Sequence, residues 1–350
     1  MSDSDLPSRV STHFHNQADA CDQLGSPFTA RLCRVLAKVL DDQSAVGRKV
    51  LGWAGDPRAD ALALRLCGGL HALVLSGADA ELARIYPPEK TGDRDLALAL
   101  PAALARNEAH LLAMLESPPQ TNEIARSGML LPGFLAIARE SGLALELTEI
   151  GASAGLNLLF DRFHYRYGKN EWGNAGSPVR LAPEVRGQAP SMSGDLQIVD
   201  RAGCDLAPIR ISDPAQRLRL RAYVWADQTL RLERLDAAIS LAEREPPTLV
   251  KLGAAEFVEQ RLSARSPDRA FVLFHSIMWQ YMPPATRARI VELLETQGSA
   301  VNAGSPLYWL RMEPLAAGDP YATLSLTSWP GGTTRALARC DYHGRWMEWL

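Results

Sequence analysis

Cysteine, lysine and long apolar runs are all scarce in this chain of 350 residues, and each scarcity excludes a class of protein. The five cysteines are scattered and include no Cys-x-x-Cys pair, so neither a disulfide framework nor a zinc site is expected. Only five basic residues are lysines, and this arginine bias suggests a GC-rich bacterial genome. No apolar run approaches membrane-spanning length.

The charge balance of the chain indicates which classes of partner to expect. The formal net charge is −3, with 47% hydrophobic and 22% charged residues, as in ordinary soluble proteins. We therefore expect no nucleic-acid partner and no membrane partner, since there is no global basic field to attract nucleic acid or an anionic membrane. The segment Met1–Gln17 is polar and contains no apolar signal sequence, so a cytoplasmic protein is expected.

The pattern of apolar residues changes once along the chain. Residues 1–142 predict a helical N-terminal domain, with start signals at Ser26-Pro27 and Asp56-Pro57. Residues 143–350 alternate between predicted strands and helices and end in a predicted antiparallel pair. This alternation indicates a mainly parallel sheet covered by helices, interrupted by a glycine- and proline-rich insertion near 168–193. The predicted fold is thus α/β: a Rossmann-like sheet of the class I methyltransferase type with an N-terminal all-helical domain.

The segment 147–157, Leu-Thr-Glu-Ile-Gly-Ala-Ser-Ala-Gly-Leu-Asn, is compatible with two different enzymes. As Gly-x-Ser-x-Gly it could present Ser153 as the nucleophile of an α/β-hydrolase. Hydrolases of that fold have several strands before the nucleophile, whereas Leu143–Ile150 is the first predicted strand here. No upstream His-Gly-Gly-Gly loop is present either, so the serine hydrolase ranks third among the hypotheses.

The same segment is one substitution away from the Glu-x-Gly-x-Gly-x-Gly loop of class I S-adenosylmethionine (SAM) methyltransferases. In that interpretation the ligand approaches the backbone at small residues, and an acid ending the next strand accepts hydrogen bonds from the ribose. Asp205, in Gly203-x-Asp205-x-x-Pro208, suits that role, although it lies fifty residues beyond Gly155. An acid expected at Ala254 for the adenine amino group is missing. The predicted cofactor-binding residues are Glu149, Gly151, Ser153, Gly155, Asn157 and Asp205.

Several blocks together resemble an uncharacterised bacterial family, domain of unknown function 2332. The resemblance rests on Gln120–Glu123 with Arg126, Glu149–Asn157 with Asp161-Arg162, and the block that ends in Asp205-x-x-Pro208. Further support comes from Trp225 with Arg231 and Leu235, from Phe274–Ser276 with Gln280-Tyr281, and from Trp309–Glu313; Ala226 departs from an expected proline. The resemblance implies a methyltransferase-like fold without an established reaction. Helix capping and an ion pair explain Asn122, Glu123 and Arg126 without a function, and only the resemblance suggests that they contribute to a substrate pocket.

The remaining candidates follow later strands. His275 ends the apolar strand Ala270–His275, at the sheet edge where ligands of open α/β sheets bind, and is the predicted general base or orienting group. Tyr281 and Glu313 are predicted at the substrate pocket. The leading hypothesis is a SAM-dependent methyltransferase for a small-molecule acceptor, without a metal. The alternative is an inactive Rossmann-like protein that binds a ligand or a partner; the acceptor and the oligomeric state are left open.

Overall fold

A computed structural model describes residues 6–350 of the chain, so the first part of the predicted signal-free segment Met1–Gln17 lies outside the described residues. The chain divides into two compact units. Of the described residues, 6–121 and 212–233 form one unit, and 122–211 and 234–350 form the other.

The first unit is helical. Its helices are α1 (Leu6–Gln23), α2 (Pro27–Val39), α3 (Ala45–Leu51), α4 (Leu62–Leu75), α5 (Ala80–Ala83), α6 (Asp93–Arg106), α7 (Glu108–Leu115) and α9 (Pro214–Ala222). The segment carrying α9 belongs here because the ring of Tyr223 lies against Gly68, where a Cβ would be only 2.5 Å away. His71 Nδ1 also bonds to the carbonyl of Ala222 at 3.1 Å. Sequence periodicity could not show that residues 212–233 belong to the helical unit, because the contacts involved are distant along the chain.

The second unit is built on a nine-stranded, mostly parallel sheet. Its strands are β1 (Leu145–Ile150), β5 (Glu184–Arg186), β6 (Ile198–Asp205), β7 (Thr248–Lys251), β8 (Ala270–Ser276), β9 (Leu307–Glu313), β10 (Ala322–Trp329), β11 (Thr333–Cys340) and β12 (Trp346–Trp349). They lie in the order β5-β12-β11-β10-β9-β8-β1-β6-β7. The α/β class with a large parallel region is therefore confirmed. The expected terminal antiparallel pair is present as three strands, β10 to β12, because a turn after Cys340 divides the second predicted strand.

Helices pack on this sheet: α8 (Ser127–Ser141), α11 (Ala254–Ser263) and α12 (Pro284–Ser299), while α10 (Thr229–Arg244) begins in the first unit. The prediction assigned α8 to an N-terminal domain ending at residue 142. In the structure α8 belongs to the sheet unit, because Phe134 stacks on Phe160 at 4.2 Å and meets Phe274 edge-on at 5.1 Å. Gly133 allows this approach, since a Cβ there would lie 2.6 Å from Leu310.

The predicted insertion 168–193 is structured. Its first part joins β2 (His164–Tyr167), β3 (Asn170–Gly173) and β4 (Arg180–Leu181) in a three-stranded sheet, and β5 then pairs with β12 at the edge of the large sheet. The helix predicted over residues 156–163 is a 3-10 helix, Leu156–Arg162, with non-helical backbone angles at Leu159. In the part of the chain that the structure describes, no helix has the length and apolar character needed to cross a bilayer.

Candidate functional site

The candidate site lies where the direction of strand addition reverses. Along the chain, β6 and β7 are added on one side of β1, and β8 and β9 on the other, all parallel. Loops after neighbouring strands therefore diverge at the carboxyl ends of β1 and β8, and such a switch point is where open α/β sheets bind ligands. The loop 151–155 follows β1, and His275 ends the buried part of β8.

The loop after β1 has an unusual backbone. Gly151, Ser153 and Gly155 all have positive φ, at 65°, 54° and 69°. Glycine tolerates this conformation, whereas Ser153 adopts it at a cost. A Cβ on Gly151 would lie 2.8 Å from Met278, and one on Gly155 would lie 2.8 Å from Leu249. Close packing thus requires both glycines, whether or not a ligand approaches them.

Hydrogen bonds hold the loop in this shape. The backbone N–H of Ser153 donates to Asp205 Oδ2 at 3.0 Å, and the N–H of Leu156 donates to Asn122 Oδ1 at 3.0 Å. The other oxygen of Asp205 accepts from the N–H of Ala207 at 2.9 Å, which is an ordinary turn contact. Asp205 and Asn122 therefore hold the loop in place, whether or not a ligand is bound. Their predicted roles in ribose and substrate binding stay predictions.

Glu149 is a deeply buried carboxyl of the site. It is 3% exposed at the end of β1, and its Oε2 has no hydrogen-bond partner within residues 6–350. Burial raises the pKa of this carboxyl well above its usual range, and the nearby Asp205 raises it further, against an opposing effect of Arg126. A carboxylate in this position is expected to bind a cation or a hydrogen-bond donor.

Residues 122–127 brace the same loop from the other side. Ser127 Oγ donates to Asn157 Oδ1 at 2.8 Å, and Asn157 Nδ2 donates to the carbonyl of Glu123 at 3.3 Å. Arg126 donates to the carbonyls of Tyr342 at 3.0 Å and Ser276 at 3.3 Å, linking the segment to the end of β8. These contacts account for Asn157 and Arg126 structurally, and the predicted binding roles are not needed to explain them.

His275 is completely buried and both of its ring nitrogens are engaged. Nδ1 lies 2.7 Å from Glu313 Oε1, and the indole N–H of Trp309 donates to Nε2 at 3.1 Å. Since Nε2 accepts, Nδ1 carries the proton in the neutral ring. The lone pair of Nε2 is thus occupied by the indole N–H of Trp309. These contacts favour a positioning role for His275 over the predicted role of general base.

Glu313 connects the ends of β8 and β9. Its Oε1 also accepts from the backbone N–H groups of Met278 at 3.0 Å and Trp279 at 3.3 Å. These bonds hold the turn that contains Ile277, whose φ of 51° is strained for a β-branched residue. The turn places Met278 on Gly151 and Trp279 on His275. Sequence reasoning identified Glu313 and His275 but missed Met278 and Trp279, which carry no spacing signal.

Three other predicted positions can be located. Tyr281 is 77% exposed beyond this turn. Ala254 is the first residue of α11, after Gly253, where a Cβ would meet nothing within 4 Å. The hydroxyl of Ser153 is buried and has no hydrogen-bond partner in the described chain, so no histidine activates it as a nucleophile requires. Among residues 6–350, no three or more histidine, cysteine, aspartate or glutamate side chains are grouped to hold a metal ion.

The chain belongs to a family described as an uncharacterized protein conserved in bacteria (DUF2332), whose sequence profile matches residues 11–349. The family resemblance noted in the sequence is therefore confirmed. No curated protein and no solved structure matches the chain. The family description includes no reaction, so function has to be argued from the site.

Proposed function

We propose that this protein is a SAM-dependent methyltransferase acting on a small-molecule acceptor, with a Rossmann-like sheet of the class I methyltransferase type. The observation that carries the proposal is the buried carboxylate of Glu149, whose Oε2 lacks a partner in the described residues. It lies at the switch point of the sheet, directly before a loop with three positive φ angles. SAM contains an ammonium and a sulfonium, so its charge is complementary to such a carboxylate.

The remaining residues of the loop fit the same ligand. Asp205 uses two of about four acceptor positions of a carboxylate for Ser153 and Ala207. It is only partly buried, so ribose hydroxyls can take the others. The buried hydroxyl of Ser153 is available to donate to the ligand's carboxylate. Because Ala254 replaces the expected acid, the adenine ring would be recognised by the backbone near Gly253, where side-chain space is open.

When bound, SAM supplies a methyl group already activated by the positively charged sulfur. The protein then has to align the acceptor with that methyl group, and alignment alone can supply several kcal/mol of the barrier reduction, about 7–11 kcal/mol in favourable cases. In this proposal Glu149 binds the ammonium, and Asp205 orients the ribose while keeping the loop rigid. His275 holds Glu313 and Trp279 in place.

Calorimetry of the full chain with SAM and with S-adenosylhomocysteine tests the proposal. We expect both to bind. At a pH high enough to ionise Glu149, the affinity should fall at least about tenfold in Glu149→Gln, as for a lost charge-assisted contact. Glu295→Gln, on the exposed side of α12, is the matched control and should bind as the wild type does. Absence of binding by folded protein would remove the proposal. If Asp205→Ala leaves the SAM affinity unchanged, the ribose lies elsewhere.

A ligand-binding protein without catalysis is the second candidate. It is favoured by His275, whose two ring nitrogens are both occupied, so the site contains no histidine free to act as a base. The two candidates differ in turnover: the inactive protein would bind SAM but release no S-adenosylhomocysteine with any acceptor. Covalent labelling of Ser153 by a fluorophosphonate would instead favour the serine hydrolase.

A further inference from the structure

Glu313 has one oxygen with three donors and one oxygen with none. His275, Met278 and Trp279 all donate to Oε1, at 2.7, 3.0 and 3.3 Å. Oε2 is buried without a hydrogen-bond partner anywhere in residues 6–350, although the side chain is only 7% exposed. Buried acceptors in native proteins are almost always satisfied, so this atom needs a donor from outside the described residues, and a ligand can supply it.

An aromatic cluster packs on His275, which bonds to the same carboxylate. Trp279 stacks on His275 with ring centroids 5.1 Å apart, and its ring lies 5.3 Å from that of Trp309. The guanidinium of Arg311 lies 4.0 Å from the centroid of Trp309 and donates to Thr327, so this cation is already held on that ring. Trp279 is partly exposed and is therefore the ring of the cluster that a ligand can reach. Tryptophan faces attract ammonium groups and their alkyl substituents.

Exposed apolar side chains follow both of the strands that Glu313 joins. Tyr281 is 77% exposed in the loop after β8, and Leu315 is 75% exposed in the loop after β9. The bonds from Met278 and Trp279 to Glu313 join these two strand ends directly. A few polar groups among apolar and aromatic side chains are the usual composition of a small-molecule site.

We propose that the ends of β8 and β9 form the acceptor subsite, and that the acceptor is an amine carried on an apolar or aromatic body. Glu313 Oε2 accepts a hydrogen bond from the ammonium, and Trp279 and Tyr281 contact the apolar body. The assignment of this amine as methyl acceptor rests on the proposed function. Transfer to nitrogen requires the free amine, so the ammonium would release one proton to Glu313 Oε2 and regain its lone pair. That lone pair would form the new N–C bond as the S–C bond of SAM breaks, and S-adenosylhomocysteine would leave.

A matched pair of probes tests the subsite without SAM. The full chain is titrated with 2-phenylethylamine and with 2-phenylethanol near neutral pH, where only the amine is charged, and binding is followed by calorimetry and ligand-observed NMR. We expect the amine to bind at least tenfold more tightly than the alcohol. Glu313→Gln should abolish this preference, and Tyr281→Ala should weaken both probes two- to fivefold.

Controls separate binding from folding. Glu295→Gln should behave as the wild type, and near-ultraviolet circular dichroism checks that Glu313→Gln is folded; Tyr281→Ala alters only an exposed side chain. Equal binding of amine and alcohol, no binding of either, or an unchanged preference in folded Glu313→Gln would overturn the subsite. If SAM binds but the amine does not, the subsite fails and the methyltransferase proposal stands. If the amine binds but SAM does not, the methyltransferase proposal fails and the amine subsite stands.

Discussion

His275 lies with its Nδ1 2.7 Å from Oε1 of Glu313, a contact that joins the ends of two parallel strands in a fully buried environment. With Trp309 donating to the other nitrogen, the imidazole has one tautomer and one orientation. The pair therefore positions the turn at Ile277, and substitutions at His275 should affect folding before they affect chemistry.

His275→Ala should lower the free energy of unfolding by about 3 kcal/mol or more, because it leaves buried partners unsatisfied and removes a packed ring. Urea denaturation measures this loss. His15→Ala is the control, since His15 is exposed and bonds only within its own helix, and it should change stability by less than about 0.5 kcal/mol. A free general base would give the opposite result, with near-normal stability and lost turnover.

Glu149→Gln should make stability less sensitive to pH. The folded-state pKa of Glu149 is raised, so its contribution is fully present below the unfolded-state pKa and is lost as pH rises through the folded-state pKa. The variant should therefore gain melting temperature over the wild type as pH rises from 5 to 9, by a few degrees, on the order expected for about 1 kcal/mol. Glu295→Gln should show no such trend. If the melting temperatures of the wild type and Glu149→Gln changed with pH in parallel, that result would contradict a raised pKa of Glu149.

SAM affinity should also depend on the protonation of Glu149. Rising pH removes the contribution of Glu149 to stability, but it should increase the affinity for SAM. Binding a cationic ligand requires ionised Glu149, so wild-type affinity should increase with pH across the folded-state pKa. Calorimetry of the wild type and of Glu149→Gln at several pH values measures this dependence. An affinity that falls with rising pH, or an equal slope in the variant, would show that another group binds the ammonium.

Gly151→Ala should cost about 2–4 kcal/mol. About 1–2 kcal/mol arises from the left-handed backbone and the remainder from contact with Met278, 2.8 Å from the new Cβ. Gly142→Ala isolates the backbone contribution, because Gly142 has a φ of 63° but nothing within 4 Å of a Cβ. Denaturation of both variants gives the difference, which Met278→Ala should reduce in the double variant. Equal costs for the two glycines would mean that Met278 does not pack on the loop.

Asp205→Ala should loosen the loop after β1. The N–H of Ser153 loses its acceptor, so its amide should exchange with solvent at least about tenfold faster, the equivalent of a lost hydrogen bond worth about 1.4 kcal/mol. Hydrogen–deuterium exchange of peptides covering 151–155 measures this rate. Asp195→Ala, at an exposed loop position, is the control. Unchanged protection in the Asp205 variant would contradict its role as a loop brace.

The sequence predicted what local patterns specify. Short-range periodicity placed the bounds of β1, β6, β7, β8 and β9 within two residues, and glycine spacing located a loop in which the structure has positive φ angles. Prediction was weaker where local structure depends on residues that are distant along the chain. The helix expected over 156–163 is a 3-10 helix, since Gly155 is left-handed and Asn122, 34 positions earlier, caps the N–H of Leu156.

The domain assignment shows the same limit. An apolar helix such as α8 can be covered by other helices or by a sheet, and its own pattern is the same in both cases. Only the three-dimensional contacts of Phe134 and Gly133 assign it to the sheet, and those of Tyr223 and His71 assign residues 212–233 to the helical unit.

By itself, then, the sequence determined the α/β class, the glycine loop and the set of acids and the histidine at the strand ends, because these depend on neighbours along the chain. The tertiary structure decided what those groups do: Asp205 braces a loop, His275 is held on both nitrogens, and Glu149 and Glu313 each keep one oxygen unsatisfied by the described residues. The reason is that hydrogen-bond saturation and burial depend on residues far apart in sequence, which only folding brings into contact.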